Sequence, residues 1–103
     1  MGARFADVRF VVGDRVFIGE IKVTSYLSID EAFRTALGQL RFYAHMQFES
    51  KPGLIALLDR LLDAKRLALA AALGIAVVVE VSEGEFTLLN PEVAVELHPI
   101  FGA

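Results

Sequence analysis

Apolar and polar residues alternate along residues 4–24. Successive side chains of a strand point to opposite faces, so this period of two predicts two β-strands. Gly13 and Asp14 lie between the two stretches, and Gly at the first position of a two-residue turn is typical of a tight hairpin. This turn also fixes the register of the hairpin. The predicted cross-strand pairs are Val12 with Arg15, Phe10 with Phe17, Val8 with Gly19, and Asp7 with Glu20.

A helical pattern follows the hairpin. Ser28 is followed three residues later by Glu31, which is the capping-box signature of a helix start. Apolar residues then recur at helical spacing to about Phe48, before Pro52 and Gly53 break the pattern. The sequence therefore predicts one long amphipathic helix here.

The second half of the chain alternates between apolar runs and turn residues. Helices that lie between strands predict the α/β class, with a mixed sheet and helices packed on it. The predicted elements are a strand over 54–58, a helix over 60–73 capped by Asp59 and ended by Gly74, strands over 75–81 and 86–89, and a tail over 92–103 that forms either an edge strand or a dimer contact.

Length and composition narrow the class of protein. The chain has 103 residues, 55% of them hydrophobic and 22% charged, which predicts a single folded domain over residues 1–103 and excludes a disordered segment. A small domain buries a limited share of its apolar surface, so this surplus predicts a homodimer or a complex with another subunit. The absence of cysteine excludes disulfides, zinc fingers, iron–sulfur clusters and thiol catalysis.

The sequence contains no recognisable targeting signal or membrane span, which predicts a cytoplasmic protein with no membrane contact. The longest apolar run, residues 67–79, is shorter than the roughly 20 residues of a membrane span, and no signal peptide precedes it. The net charge is −3, but residues 1–66 carry all 10 basic residues and 8 of the 13 acidic ones. A phosphate backbone is therefore expected to meet the first two thirds of the chain and to avoid the acidic tail.

The hairpin register brings together three residues that suit metal chemistry. Glu20 and Lys22 project to one face of their strand, and Asp7 lies opposite Glu20. Directly opposed residues have Cβ atoms about 4.5–5.5 Å apart, so one divalent cation can bridge the two carboxylates, which repel each other without it. Carboxylate oxygens favour Mg²⁺ or Mn²⁺, whose retained water can attack a phosphodiester. Alternatively, the three residues form only a surface salt bridge on a solvated strand face.

These residues belong to a longer pattern. Asp7 is followed by Glu20-Ile21-Lys22 within an apolar strand, and the next helix carries Gln39 and Tyr43 one turn apart. The combination resembles the PD-(D/E)XK nuclease superfamily, and in particular its RecB-like branch with a Gln-x-x-x-Tyr motif. The resemblance implies a restriction-endonuclease-like mixed sheet flanked by helices, in a minimal version that lacks the N-terminal helix of many relatives.

The resemblance also implies roles for individual residues. Asp7 and Glu20 become metal ligands with the carbonyl of Ile21 as a third, and Lys22 becomes the catalytic lysine. The nucleic-acid-binding candidates are Gln39, Tyr43 and the neighbouring Arg41. In the family, the Gln and Tyr positions contact either the nucleic acid or the active-site residues; an ordinary polar stripe with a half-buried tyrosine is the alternative.

The sequence thus predicts a Mg²⁺- or Mn²⁺-dependent nuclease that acts on DNA, or on RNA, through a metal-activated water. One alternative is a catalytically inactive nuclease-fold module that binds nucleic acid or assembles with a larger subunit. A third is a small interaction protein whose apolar surface binds another chain.

Overall fold

A mixed sheet of five strands organises the protein, in the order β1-β2-β3-β4-β5. The structure is a computed structural model that describes residues 7–24, 28–47 and 51–101. With helices packed on this sheet, the predicted α/β class is confirmed. The elements are β1 (Val8–Val12), β2 (Arg15–Lys22), α1 (Ile29–Gln47), β3 (Gly53–Leu58), α2 (Ala64–Ala72), β4 (Ile75–Ser82) and β5 (Glu85–Leu88), followed by two 3₁₀ turns (Pro91–Val93 and Val95–Leu97) and the short α3 (His98–Phe101).

The β1–β2 hairpin has the predicted register. Val12 pairs with Arg15 and Val8 pairs with Gly19 in an antiparallel ladder. Gly13 has a φ of +64°, while Asp14 keeps a negative φ, as expected for a turn that needs left-handed backbone only at its first central position. The short turn therefore sets which residues of β1 and β2 face each other.

Strands β2, β3 and β4 run parallel, and β5 returns antiparallel to β4. The carboxyl ends of β2, β3 and β4 consequently meet at one edge of the sheet, which is also the edge where β1 begins. One sheet face packs against α1 and α2 through a cluster that includes Ile18, Phe33, Leu40 and Val77. This layer is called the helix face below.

The opposite sheet face packs against the C-terminal segment, residues 91–101, and is called the tail face below. Its core contains Phe17, Ile55, Val78 and Leu97, all buried. The tail was expected to form an edge strand or a dimer contact. The edge-strand alternative is wrong: the tail forms 3₁₀ turns and α3, because its apolar side chains fold back onto the sheet.

A buried asparagine directs the tail onto this face. Asn90 is almost fully buried; its Nδ2 donates to the Ile75 carbonyl (3.0 Å) and its Oδ1 accepts from the Val77 N–H (2.8 Å). The side chain thus makes the contacts that a strand backbone would make beside β4, since buried backbone groups need partners. Pro91 follows directly and opens the first 3₁₀ turn.

The start of α1 agrees with the sequence prediction, whereas the start of α2 does not. The capping box of α1 is confirmed, because the Glu31 N–H donates to Ser28 Oγ (3.1 Å) and the Ser28 N–H donates to Glu31 Oε1 (3.2 Å). The predicted cap of α2, Asp59, is wrong: the cap is Asp63, which accepts from the Arg66 N–H (2.9 Å).

Asp59 has a different partner, which explains the shift of the α2 start. Its carboxylate accepts from both the N–H and the Oγ1 hydroxyl of Thr24, at 3.0–3.1 Å. These bonds hold Asp59 at the carboxyl edge of the sheet. The remaining predicted strands agree with the structure to within one residue at either end, whereas Phe48 and residues 4–6, 102 and 103 lie outside the described part of the chain.

None of the helices in the described ranges is long and apolar enough to span a bilayer.

The contact between β2 and β3 generates a stability prediction. A Cβ added at Gly53 would come within 2.2 Å of the fully buried Phe17 ring. Because that ring also stacks on Phe10 at 5.7 Å, it has little room to move. Gly53→Ala should lower the free energy of unfolding by about 1–3 kcal/mol, the usual cost of overpacking, as measured by denaturant titration.

Gly38 provides a matched control. It lies on the exposed side of α1 with nothing within 4 Å of an added Cβ. Gly38→Ala should raise the free energy of unfolding by about 0.5–1 kcal/mol, because alanine favours helix. Equal effects of the same sign at both positions would contradict the packing described here.

Candidate active site

The open end of the β1–β2 hairpin holds two carboxylates, Asp7 and Glu20, that each accept a hydrogen bond from the backbone of the opposite strand region. Asp7 lies one residue before β1, just beyond the last paired residues of the ladder, Val8 and Gly19. The Asp7 N–H donates to Glu20 Oε2 (3.0 Å), and the Ile21 N–H donates to Asp7 Oδ2 (2.9 Å). Each side chain is therefore held in place by a backbone N–H of the opposite strand region.

Glu20 is an acidic side chain inside the protein. It is only 2% exposed, and it projects to the helix face, where the neighbouring residue of β3 is the small Ala56. Burial raises the pKa of the Glu20 carboxyl above its ordinary value, and the adjacent Asp7 charge raises it further. The Asp7 N–H bond and the Lys22 charge oppose this rise without cancelling it.

Lys22 completes the group at the carboxyl end of β2. It is two residues beyond Glu20 and so projects to the same face, where its side chain is half-buried. The Lys22 ammonium favours the ionised form of Glu20, so the two side chains are close enough for their charges to interact. The site thus contains two carboxylates and one lysine at one edge of the sheet.

The donor set suits a hard divalent cation. Asp7 and Glu20 offer carboxylate oxygens, and the main-chain carbonyl of Ile21 lies between Glu20 and Lys22. Within the described ranges no group of three or more His, Cys, Asp or Glu side chains gathers in metal-binding positions. Two carboxylates, one carbonyl and several waters are nevertheless a normal environment for Mg²⁺, which keeps much of its hydration.

The charges of the site also favour a bound cation. A buried carboxyl with a raised pKa beside a second carboxylate is an unfavourable arrangement that an added positive charge would relieve. Lys22 supplies only part of that charge. The residues present therefore fit a Mg²⁺ or Mn²⁺ ion.

The nucleic-acid-binding candidates on α1 occupy different environments. Tyr43 is 4% exposed and belongs to the core of the helix face, so it supports the sheet from within. Gln39 is half-buried, and its Oε1 atom is buried without a hydrogen bond from any described group. Arg41 is exposed, and its guanidinium donates to the Leu73 carbonyl at the end of α2 (3.3 Å).

Three of the described basic residues that give the first two thirds its positive balance are held in ion pairs: Arg15 with Glu96 (3.1 Å), and Arg34 and Arg66 near the helix starts. Asp30 accepts from Arg66 (2.6 Å) and from Arg34 (3.0 Å), which joins the first turns of α1 and α2. Asp63 also binds Arg66, at 2.7 Å. The hydrogen bond from Arg66 lowers the pKa of Asp30 below its ordinary value. Arg66 therefore links α1 and α2 through Asp30, whereas the Arg34–Asp30 pair lies within α1.

The structure also contains a feature that the sequence pattern did not reveal. A groove of about 340 Å³ opens on the tail face beside Lys22, and its walls include Phe10, Ile21, Phe86 and Phe101. Phe10 and Phe101 are 91 positions apart in the chain, and the fold of the tail brings them together. In the sequence, the alternating apolar pattern around Phe10 indicated one residue of this groove, but nothing indicated that Phe101 would lie beside it.

Comparisons of the chain with protein-family models, with curated proteins and with solved structures find no match.

The buried carboxyl generates a pH prediction. Because the pKa of Glu20 is raised by folding, the folded chain holds a proton there more tightly than the unfolded chain does. Its unfavourable contribution is therefore present at neutral pH and disappears as the pH falls through the raised pKa. In metal-free buffer, Glu20→Gln should be more stable than the wild type at pH 7, and the difference should shrink on acidification.

Thermal unfolding of both proteins between pH 7 and pH 4 measures this difference. Asp30, with its lowered pKa, loses stabilisation on acidification in both proteins and so cancels in the comparison. A constant difference across this range, or a wild type more stable than Glu20→Gln at pH 7, would contradict the electrostatic account of the site.

Proposed function

We propose that this protein is a metal-dependent nuclease of the RecB-like PD-(D/E)XK type, with a restriction-endonuclease-like fold, that hydrolyses DNA phosphodiester bonds. The observation that carries the proposal is the contact between Asp7 and Glu20 at the sheet edge, with Lys22 on the same face. Two linked carboxylates with an adjacent lysine are a suitable arrangement for holding a cation against a phosphate group.

The topology supports the same proposal. A hairpin carries Asp7 on one strand and Glu20 and Lys22 on the next, and α1 then leads into β3, which runs parallel to β2. This order puts the carboxyl ends of the parallel strands and the start of β1 at one edge. Asp7 is exposed and Lys22 is half-buried at this edge, so a substrate that approaches it would meet these two side chains before the buried Glu20.

Each residue has a separate task in the proposed reaction. Asp7 and Glu20, with the carbonyl of Ile21, would hold Mg²⁺ or Mn²⁺. When bound, such an ion supplies water of lowered pKa and neutralises charge on the phosphate. The Lys22 ammonium orients the attacking water and stabilises negative charge that develops on the phosphate oxygens.

The burial of Glu20 also contributes to the proposed mechanism. A carboxylate fixed by the Asp7 N–H bond cannot rotate freely, so its remaining oxygen keeps a defined direction. Preorganised ligands need little rearrangement when charge develops during the reaction. The α1 side chains Gln39 and Tyr43 would support this arrangement from the helix face, with Arg41 exposed for contact with a phosphate.

A cleavage assay tests the proposal. Labelled single-stranded, duplex, flap and junction DNA should be cut in the presence of Mg²⁺ or Mn²⁺. Glu20→Gln and Lys22→Ala should each reduce the rate by at least about 100-fold, the lower range for loss of a catalytic group. The exposed Glu92→Gln and Lys65→Ala variants, which make the same kinds of change elsewhere, should cut at the wild-type rate.

Circular dichroism of the four variants checks that each is folded. Undiminished cleavage in both Glu20→Gln and Lys22→Ala would overturn the assignment of the site. A wild type that binds DNA but cuts none of the four substrates would favour the alternative, a nuclease-fold module that binds nucleic acid or assembles with a larger subunit.

A further inference from the structure

Three hydrogen bonds join the chain just beyond Lys22 to the end of β3. The Asp59 carboxylate accepts the Thr24 N–H at both of its oxygens (3.1 Å each) and the Thr24 hydroxyl at Oδ1 (3.0 Å). Thr24 lies two residues after Lys22, the last residue of β2, and Asp59 directly follows β3. These bonds, called the Asp59–Thr24 clamp below, connect residues that are 35 positions apart in the chain.

The end of β2 depends on β3 for its position. The antiparallel ladder with β1 ends at the Val8–Gly19 pair, whereas the parallel ladder with β3 continues to the Lys22–Leu58 pair. Strand ends with few partners open locally more readily than strand centres do. The Asp59–Thr24 clamp extends the connection between β2 and β3 beyond the last ladder pair, on the side where Lys22 lies.

The β3 side of the clamp is firmly anchored. Strand β3 lies between β2 and β4, and its last residue, Leu58, is only 3% exposed. The carboxylate of Asp59 is also available for the clamp, because Asp63 provides the cap of α2. A fixed backbone and a carboxylate with both oxygens engaged therefore hold Thr24 against the end of the sheet.

We propose that Asp59 is a positioning residue for Lys22, in a role that rests on the proposed nuclease function. Through Thr24, Asp59 fixes the backbone from which the Lys22 side chain extends and so keeps the ammonium directed at the phosphate. In this role Asp59 needs no contact with the substrate or the metal. Such positioning matters because a displacement of about 1 Å can reduce the rate of an enzyme by about 100-fold.

Steady-state cleavage of whichever DNA substrate the wild type cuts tests this inference. Asp59→Ala should lower kcat by about 10- to 100-fold, the cost of a misplaced group, and should change KM by less than about twofold. Asp59→Asn keeps an oxygen that can accept both Thr24 donors, so it should restore most of the lost kcat. Thr24→Val removes the hydroxyl donor and keeps the N–H, so its loss of kcat should be smaller than that of Asp59→Ala.

Asp63→Ala is the matched control. Asp63 is likewise an exposed aspartate that accepts a backbone N–H, that of Arg66 (2.9 Å), but it does so at the start of α2. Removal of this helix cap should lower the midpoint of thermal unfolding and leave kcat unchanged. The control therefore separates a loss of stability from a loss of position at Lys22.

A second measurement follows Lys22 without any cleavage. NMR relaxation of the Lys22 methylene beside the ammonium, in the full chain without metal, reports the order of this side chain on the picosecond to nanosecond timescale. This order should fall in Asp59→Ala and stay at the wild-type value in Asp59→Asn and Asp63→Ala. The exposed Lys65 provides the reference for a mobile lysine.

The outcomes separate this inference from the nuclease proposal. Where Lys22→Ala slows cleavage, an Asp59→Ala variant with the kcat of the wild type would overturn only the positioning role. So would equal losses of kcat in Asp59→Ala and Asp63→Ala, or in Asp59→Ala and Asp59→Asn. A wild type that cuts no DNA would overturn the nuclease, and the relaxation of Lys22 would then decide: lower order in Asp59→Ala supports its positioning by Asp59, and unchanged order overturns it.

Discussion

Two hydrogen bonds, from the Asp7 N–H to Glu20 and from the Ile21 N–H to Asp7, set the geometry on which the proposed chemistry depends. Each carboxylate accepts a backbone N–H of the opposite strand region, at 3.0 and 2.9 Å. The exchange is possible only in one hairpin register, since a shift by one residue would turn Glu20 to the other face. The left-handed backbone of Gly13, at the far end of the hairpin, therefore contributes to the position of the carboxylates.

The surrounding structure makes this arrangement stable while leaving an electrostatic cost. The helix layer buries Glu20 and raises the pKa of its carboxyl, and Lys22 only partly offsets the effect. Close packing of Phe17 against Gly53 fixes β2 beside β3, so the strand that carries Glu20 has little freedom to move. A protein that retains a buried acid beside a second carboxylate gains nothing from it in stability, which is the pattern expected of a binding or catalytic position.

Local signals made part of this fold predictable, and long-range contacts decided the rest. The hairpin register and the capping box at Ser28 depend on residues a few positions apart, and both were predicted correctly. The start of α2 was not, because both Asp59 and Asp63 are suitable caps and a contact with Thr24, 35 residues away, selects between them. The tail was ambiguous for the same reason: its path depends on Asn90 pairing with β4. The carboxylate pair followed from the register, whereas the aromatic groove required the folded position of the tail.

The proposed nuclease function requires Asp7 and Glu20 together to bind a divalent cation. Isothermal titration of Mn²⁺ into the metal-free protein at pH 7 tests it most directly, with Asp7→Asn and Glu20→Gln as variants that keep the side-chain shapes. The account predicts stoichiometric binding to the wild type and loss of that binding in both variants, because each variant removes one of the two carboxylate ligands. Absence of binding to the folded wild type, or equal binding to all three proteins, would contradict it.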